Sequence, residues 1–147
     1  MNRIFLTFVF LFLLAAAARS DLKERRIPDI VSAGIMLTGI AAVWWMPETG
    51  IWQRIAGMLA VSVPLLIVTM IKQGAFGGGD IKLLAVGGLF LGADAVLEAF
   101  FIAMTAAGLY GIVLLMKGKG RKKKFALGPF LCMGMAFSLF SGEFLWN

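Results

Sequence analysis

The residues with the clearest chemical potential begin with Asp80, which ends the run Gly77-Gly78-Gly79-Asp80. An apolar segment begins directly after it, at Ile81. Three successive glycines let the backbone adopt conformations that other residues avoid, and they let it approach a ligand closely. A structural interpretation is also open, because an aspartate at the start of a helix can cap the free N–H groups there.

A second aspartate, Asp21, opens a charged run that follows the first apolar stretch and ends in Pro28-Asp29. Its structural interpretation is a solvated loop carboxylate that is balanced by the neighbouring lysine and arginine residues. Pro28 and Asp29 indicate the turn into the next helix, since proline is favoured in a first helical turn. Asp29 is then expected to be a helix cap or a structural hydrogen-bonding residue.

Together, Asp21 and Asp80 indicate one specific chemistry. Aspartyl proteolysis needs two carboxylates a few ångströms apart that share one proton. Mutual repulsion and partial desolvation raise one pKa, so that one group acts as base and the other as acid on the same water. The two aspartates belong to different loops that are expected on the same membrane face, which makes a shared site possible.

Other catalytic chemistries are excluded by the residue types that the chain lacks. It has no histidine, which excludes Ser-His-Asp catalysis, Cys-His catalysis and the histidine-based zinc proteases. Cys132 is the single cysteine, so neither an internal disulfide nor a multi-cysteine metal site can form. Carboxylates are therefore the leading candidates for peptide-bond cleavage, and we expect no metal and no other cofactor.

The composition indicates an integral membrane protein. Of the 147 residues, 61% are hydrophobic and 15% are charged, and the mean hydropathy is +0.92. A soluble domain keeps roughly a quarter of its residues charged, because most of its surface faces water. A spanning helix needs about 20 mainly apolar residues. The expected fold is therefore all-α, one bundle of about six transmembrane helices in a single peptidase domain, residues 1–147.

Six apolar stretches follow one another along the chain. The fourth is short and glycine-rich, so we expect it to be tilted, broken or partly buried, since irregular backbone must be shielded from lipid. The first is expected to remain as an anchor and not to be a cleaved signal, because most nearby basic residues follow it. The stretches cover about residues 3–18, 29–46, 54–71, 81–93, 99–116 and 127–145.

The basic residues predict the orientation. Twelve of the 14 lie in the loops 19–28, 72–82 and 117–126, and only Arg3 and Arg54 fall on the other side. Because basic residues accumulate in cytoplasmic loops, we expect these loops inside the cell and both termini outside. The basic run 120–124 is expected to contact anionic lipid headgroups and not nucleic acid, since it lies between two spans.

Three segments resemble the motifs of the prepilin peptidase family. Residues 21–29 resemble its first catalytic motif, an Asp followed seven residues later by Pro and then Asn or Asp. Residues 77–85 resemble its second motif, Gly-x-Gly-Asp-x-Lys-Leu, and residues 126–131 are similar to its Phe-Gly-Pro-Phe stretch. The two aspartates occur in the family's order and are 59 residues apart, which makes the resemblance specific.

The resemblance implies a multi-pass aspartyl endopeptidase of the bacterial inner membrane. Its substrate would be a type IV prepilin or pseudopilin helix, whose short leader is cut where the leader meets the helix, usually after glycine. Motif matching makes Asp21 and Asp80 the catalytic pair. Structural or substrate-positioning roles fall to the remaining motif residues, Gly77, Gly79, Lys82, Pro28 and Pro129.

The resemblance also concerns the size of the protein. Larger family members carry an additional N-terminal region, often with paired cysteines, that is associated with methylating the new N-terminus. This chain begins almost at the peptidase core, so we expect no methyltransferase activity. It looks most like the compact members that serve tight-adherence (Flp-type) pili.

Two alternatives to the peptidase remain open at this point. A small transporter or proton-coupled channel would also carry carboxylates in its membrane segments. The aspartates, however, lie at the boundary of the apolar stretches and not in their middle. An inactive scaffold for pilus assembly is the other alternative, although such a scaffold would have no need to keep both aspartates.

Overall fold

A computed structural model describes residues 2–24, 26–73, 77–118 and 127–144. Across these residues the chain is helical nearly throughout and contains no strand, which confirms the predicted all-α bundle. The predicted lipid-contacting run 120–124 lies outside the described residues, as do Arg25 and Lys119. The helices are α1 (Asn2–Glu24), α2 (Asp29–Trp45), α3 (Ile51–Ala60), α4 (Ser62–Ile71), α5 (Gly78–Leu91), α6 (Ala93–Met116) and α7 (Gly128–Phe144).

The helices correspond to the six predicted apolar stretches, because α3 and α4 belong to one stretch. Only Val61 separates them, and together they form an apolar helix over Ile51–Ile71. Pro64 accounts for the interruption, since its ring crowds the carbonyl four residues earlier, at the last residue of α3. Within the described chain, three helices are long and apolar enough to cross a membrane: Ile4–Glu24, Ile51–Ile71 and Ala93–Met116.

Two helix boundaries differ from the sequence prediction. Helix α1 does not end near residue 18 but continues to Glu24, so that its last turns carry charged residues. Helix α6 begins at Ala93 and not near residue 99, because a single residue, Gly92, turns the chain from α5 into α6. Gly92 has a φ of 92°, a left-handed conformation that glycine adopts without strain. The predicted external loop around Asp94 is therefore the first turn of α6.

The short helix α5 lies at the centre of the bundle. It packs against α2, α3, α4, α6 and α7. Leu83 and Leu84 are fully buried, and the ring of Phe90 stacks on Phe10 of α1 at a centroid distance of 4.1 Å. At 1.5 Å per residue, its 14 residues extend about 21 Å, less than the roughly 30 Å of a hydrocarbon core. The expectation that the fourth stretch is partly buried is confirmed.

A buried arginine stabilises the end of the bundle at which α2 and α5 terminate. Arg54 is only 1% exposed. Its guanidinium donates hydrogen bonds to the carbonyl of Met46 at 3.0 Å and to that of Phe90 at 2.6 Å. These carbonyls lie at C-terminal helix ends, where they have no partner within the helix and where the dipole favours a cation. Nothing in the local sequence predicts a buried charge at this position.

Candidate active site

Four helix ends meet at the opposite end of the bundle. They are the C-terminal end of α1 and the N-terminal ends of α2, α5 and α7, and the predicted site residues lie on them. A pocket of about 350 Å³ opens among these ends. Its lining combines both predicted catalytic aspartates with charged and glycine residues: Asp21, Arg26, Ile27, Asp29, Gly77, Gly78, Gly79, Asp80 and Lys82.

Asp21 lies inside α1 and not in a loop. It is 6% exposed, so the interpretation as a solvated loop carboxylate is wrong. Its Oδ2 atom accepts a hydrogen bond of 2.8 Å from the backbone N–H of Gly128, the first residue of α7. A carboxylate is costly to bury without such a partner, and the N-terminus of a helix is a favourable place for negative charge. The correction follows from the extension of α1 beyond its apolar part.

Asp80 lies in the first turn of α5, ahead of the apolar part of that helix. The helix cap is Gly77, whose carbonyl accepts the backbone N–H groups of Asp80 and Ile81 at 3.1 and 3.2 Å. Asp80 is therefore not the N-cap that its structural interpretation required. Partial burial and, second, the nearby charge of Asp21 raise the pKa of Asp80 from 3.8 to about 6. The pair is thus electrostatically coupled.

The glycines before Asp80 permit close packing between the two loops. A Cβ atom on Gly79 would lie 3.3 Å from the Cβ of Ile27, a contact tighter than most Cβ atoms make. On Gly77, a Cβ atom would lie 3.3 Å from Oδ2 of Asp80. A larger residue at 79 would therefore push apart the two loops that carry the aspartates. The structure places both predicted glycines next to the pair.

The ion pair between Lys82 and Asp29 joins the two motifs directly. The Lys82 Nζ atom lies 3.1 Å from Oδ1 of Asp29, and both side chains are exposed. Such a surface pair contributes only about 0–1 kcal/mol, so it links the two motifs without adding much stability. Pro28 lies one position earlier than expected, at the N-cap of α2, where its carbonyl accepts the N–H groups of Val31 and Ser32.

Gly128 is a site residue to which the sequence motifs assigned no role. Only Pro129, the next residue, had been singled out, and it lies in the first turn of α7, where a missing N–H costs nothing. The pair Gly128-Pro129 could have indicated this role, because glycine permits a close contact with the backbone and proline favours the first turn of a helix. Arg26 and Ile27 also line the pocket without having been assigned a role.

The arrangement can polarise a water molecule between two carboxyl groups, at a pocket that is open to the end of the bundle. Among the described residues, no group of three or more His, Cys, Asp or Glu side chains is placed to hold a metal ion. The chemistry that the described pocket offers directly is acid–base chemistry by Asp21 and Asp80.

Comparison with known proteins gives one family. The model of the type IV leader peptidase family matches residues 8–112. A prepilin leader peptidase/N-methyltransferase of Bacillus subtilis is 28% identical over 136 residues, which cover 92% of this chain and 55% of that protein. Proteins of the same name match from Burkholderia pseudomallei (29% identical, 88% of this chain, 44% of that protein) and Legionella pneumophila (26%, 86% and 46%).

These matches cover most of this chain but only part of each relative. The chain spans about half the length of the curated relatives it matches. No solved structure matches it. The family model covers well over half of the chain, including both aspartate motifs. The resemblance carried by the motifs is thereby confirmed: the chain is a multi-pass membrane protein that belongs to the type IV leader peptidase family.

Proposed function

We propose that this protein is an intramembrane aspartyl endopeptidase that removes the leader of type IV prepilins or pseudopilins, with Asp21 and Asp80 as its catalytic pair. The observation that carries the proposal is the single pocket in which the aspartates of the two motifs face each other's charge. The names of the relatives support the substrate class. A tight-adherence pilin remains the expected substrate.

The reaction follows from a pair that holds one proton. The ionised carboxylate removes a proton from a water molecule, whose oxygen attacks the carbonyl carbon of the scissile bond. The protonated carboxyl group donates its proton to the carbonyl oxygen. When the resulting gem-diol collapses, the C–N bond breaks and the departing nitrogen takes the proton of the protonated carboxyl group. One hydroxyl of the gem-diol gives its proton to the other carboxylate as the C=O bond re-forms, so the pair again holds one proton.

The position of the pocket suggests how a substrate is presented. The pocket lies at a bundle end, so it can reach a peptide bond only where a substrate helix leaves the membrane. A prepilin offers such a bond between its short basic leader and its apolar helix. Glycine before the cut suits this geometry, because the bond must leave helical conformation and glycine is a poor helix former.

Cleavage of a co-encoded prepilin by the purified protein tests the proposal. Asp21→Asn and Asp80→Asn should each abolish cleavage while membrane insertion is kept, because the pair fails when either partner cannot ionise. Asp94→Asn is the matched control: Asp94 accepts a hydrogen bond from Gln53 at the other end of the bundle. It should keep most activity. Mass spectrometry of the product N-terminus gives the position of the cut.

Two outcomes would contradict the proposal. Full activity of the Asp80→Asn protein would reduce that residue to a structural role. If the wild-type protein, folded in lipid, leaves the prepilin uncleaved, the result would favour the inactive scaffold.

A further inference from the structure

Two basic residues line the pocket that holds the aspartates, and they differ in their partners. The Lys82 Nζ atom is paired with the Asp29 carboxylate at 3.1 Å. Arg26 is exposed and makes no ion pair or hydrogen bond with another residue in the described part of the chain. Its guanidinium therefore offers the pocket five N–H donors and a positive charge that no described acidic side chain takes up.

The side chain of Arg26 is free, but its backbone is held beside the pocket. Ile27, the next residue, is 5% exposed and belongs to the hydrophobic core. A Cβ atom on Gly79 would lie 3.3 Å from the Ile27 Cβ, so the chain here runs directly against the glycines before Asp80. The anchored neighbour fixes where the Arg26 side chain starts, while its flexible stem lets the guanidinium meet a ligand.

Arg26 does not neutralise the two aspartates. The pKa of Asp80 is raised by burial and, second, by the charge of Asp21, whereas a cation paired with Asp80 would have lowered it. The Oδ2 atom of Asp21 accepts its hydrogen bond from Gly128 N–H. The charge of Arg26 is thus left for a group that enters the pocket from outside.

The place of Arg26 in the chain suggests which part of a substrate it meets. Asp21 lies in the last turn of α1, which ends at Glu24, and Arg26 follows that end before α2 begins at Asp29. A substrate helix reaches the aspartates from the membrane. The leader residues before the cut therefore extend past the helix ends, towards Arg26.

Hydrolysis gives the leader a group that a guanidinium binds and that the intact prepilin lacks. The carbonyl carbon of the scissile bond keeps the oxygen of the attacking water, and the nitrogen of the helix takes a hydrogen. The new C-terminal carboxyl group, with a pKa of about 3.5, loses its proton to water near neutral pH. A carboxylate matches the planar fork of a guanidinium, which can donate two parallel hydrogen bonds to it.

We infer that Arg26 is a product-binding residue: its guanidinium holds the new C-terminal carboxylate of the cleaved leader. The inference rests on the proposed function, because the leader is the ligand. The cleaved leader is then an inhibitor of the enzyme, and its affinity depends on the charge of its last residue. The intact prepilin has an uncharged amide at the same place, so Arg26 contributes to product binding and not to substrate binding.

Two synthetic leader peptides test this contact. Both have the sequence of the co-encoded prepilin up to the cut, and one ends in a carboxylate while the other ends in a carboxamide. Their dissociation constants are measured with the whole protein in lipid nanodiscs, for the wild type and for Arg26→Gln. The ratio of the carboxamide constant to the carboxylate constant should be about 3- to 10-fold larger in the wild type, as expected for a partly exposed charge-assisted pair.

Comparing the ratios isolates the contact. The repulsion of the carboxylate by Asp21 and Asp80 is common to both proteins and cancels. Lys23→Gln is the matched control, because it removes a positive charge from the last turn of α1 at a described residue outside the pocket lining. It should leave the ratio unchanged. Arg26→Lys keeps the charge and loses the planar fork, so its ratio should fall below that of the wild type even if Arg26→Gln does not insert.

Equal ratios in the wild type and in Arg26→Gln would overturn the inference. If the wild-type protein cleaves the prepilin in the same nanodiscs, the proposed function stands without it. An unchanged ratio together with a higher KM for the intact prepilin would assign Arg26 to substrate binding and also overturn the inference. If neither peptide binds and the prepilin stays uncleaved, the proposed function itself fails, and the role of Arg26 fails with it.

Discussion

At the residue scale, the chemistry depends on the pH up to which the two carboxyl groups still hold one proton between them. The Asp80 carboxyl group has its pKa raised to about 6, first by burial and then by the charge of Asp21. With this pKa, Asp80 is mostly protonated below about pH 6 and mostly ionised above it. An isolated aspartate, with a pKa near 3.9, would already have lost its proton at far lower pH.

The wild-type enzyme should therefore lose activity as the pH rises through about 6. Above that pH Asp80 has lost the proton that the pair would donate to the carbonyl oxygen. Initial rates of prepilin cleavage in lipid vesicles, measured at saturating and at low substrate, would give the pH dependence of kcat and of kcat/KM. A kcat/KM that rises continuously through this range would exclude a proton-sharing pair.

At the element scale, the position of α5 depends on its crossing with α3. A Cβ atom on Gly57 would lie 2.5 Å from the carbonyl oxygen of Gly88, and a Cβ on Gly88 would overlap the carbonyl of Gly57. The two backbones are thus in direct contact, as occurs where small residues face each other in membrane helices. This crossing holds the helix that carries Asp80.

Gly88→Ala should destabilise the protein, although alanine is the better helix former. The added Cβ must separate α3 from α5, and overpacking of this kind costs about 1–3 kcal/mol. Gly108→Ala, on a helix face with open space, should be neutral or stabilising by about 0.5–1 kcal/mol. Thermal unfolding of both variants in the same detergent compares them. Equal melting temperatures would show that the crossing is not tight.

The elements also show how far the sequence could predict this fold. Hydropathy located all six apolar stretches, since that signal is local. It could not show that α1 continues through Asp21, because the charged last turns are stabilised by contact with α7 and not by their own composition. For the same reason Gly128 and Arg54 were missed: each acts on groups that are distant in sequence. The motifs singled out Asp21 and Asp80, but only the structure shows that both residues line one pocket.

At the scale of the whole molecule, the helix ends separate into two groups. The pocket lies where α1 ends and α5 begins, and the Arg54 cluster lies where α2 and α5 end. Consecutive membrane spans run in opposite directions, so the end of one span and the start of the next lie on the same side of the bundle. The excess of basic residues on the side of the pocket predicts that the pocket faces the cytoplasm.

Reporter fusions test this orientation. Reporters attached after residues 73 and 118 should lie inside the cell, and those after residues 48 and 92 outside, because the basic loops direct the topology. Each position follows the end of a helix or lies in a turn, so every fusion keeps the preceding helices whole. An external reporter after residue 73 would place the pocket on the wrong side for a leader that remains in the cytoplasm.

The shortness of α5 has a consequence for the surrounding bilayer. Helix α2, which packs against it, has 17 residues and extends about 25 Å, and it ends in the exposed side chains of Trp44 and Trp45. Tryptophans favour the headgroup level. Where α2 faces lipid, we expect a bilayer of ordinary thickness to thin locally and so match its length. Such thinning would bring headgroups and water closer to the aspartates, so we expect acyl-chain length to influence how readily water enters the pocket.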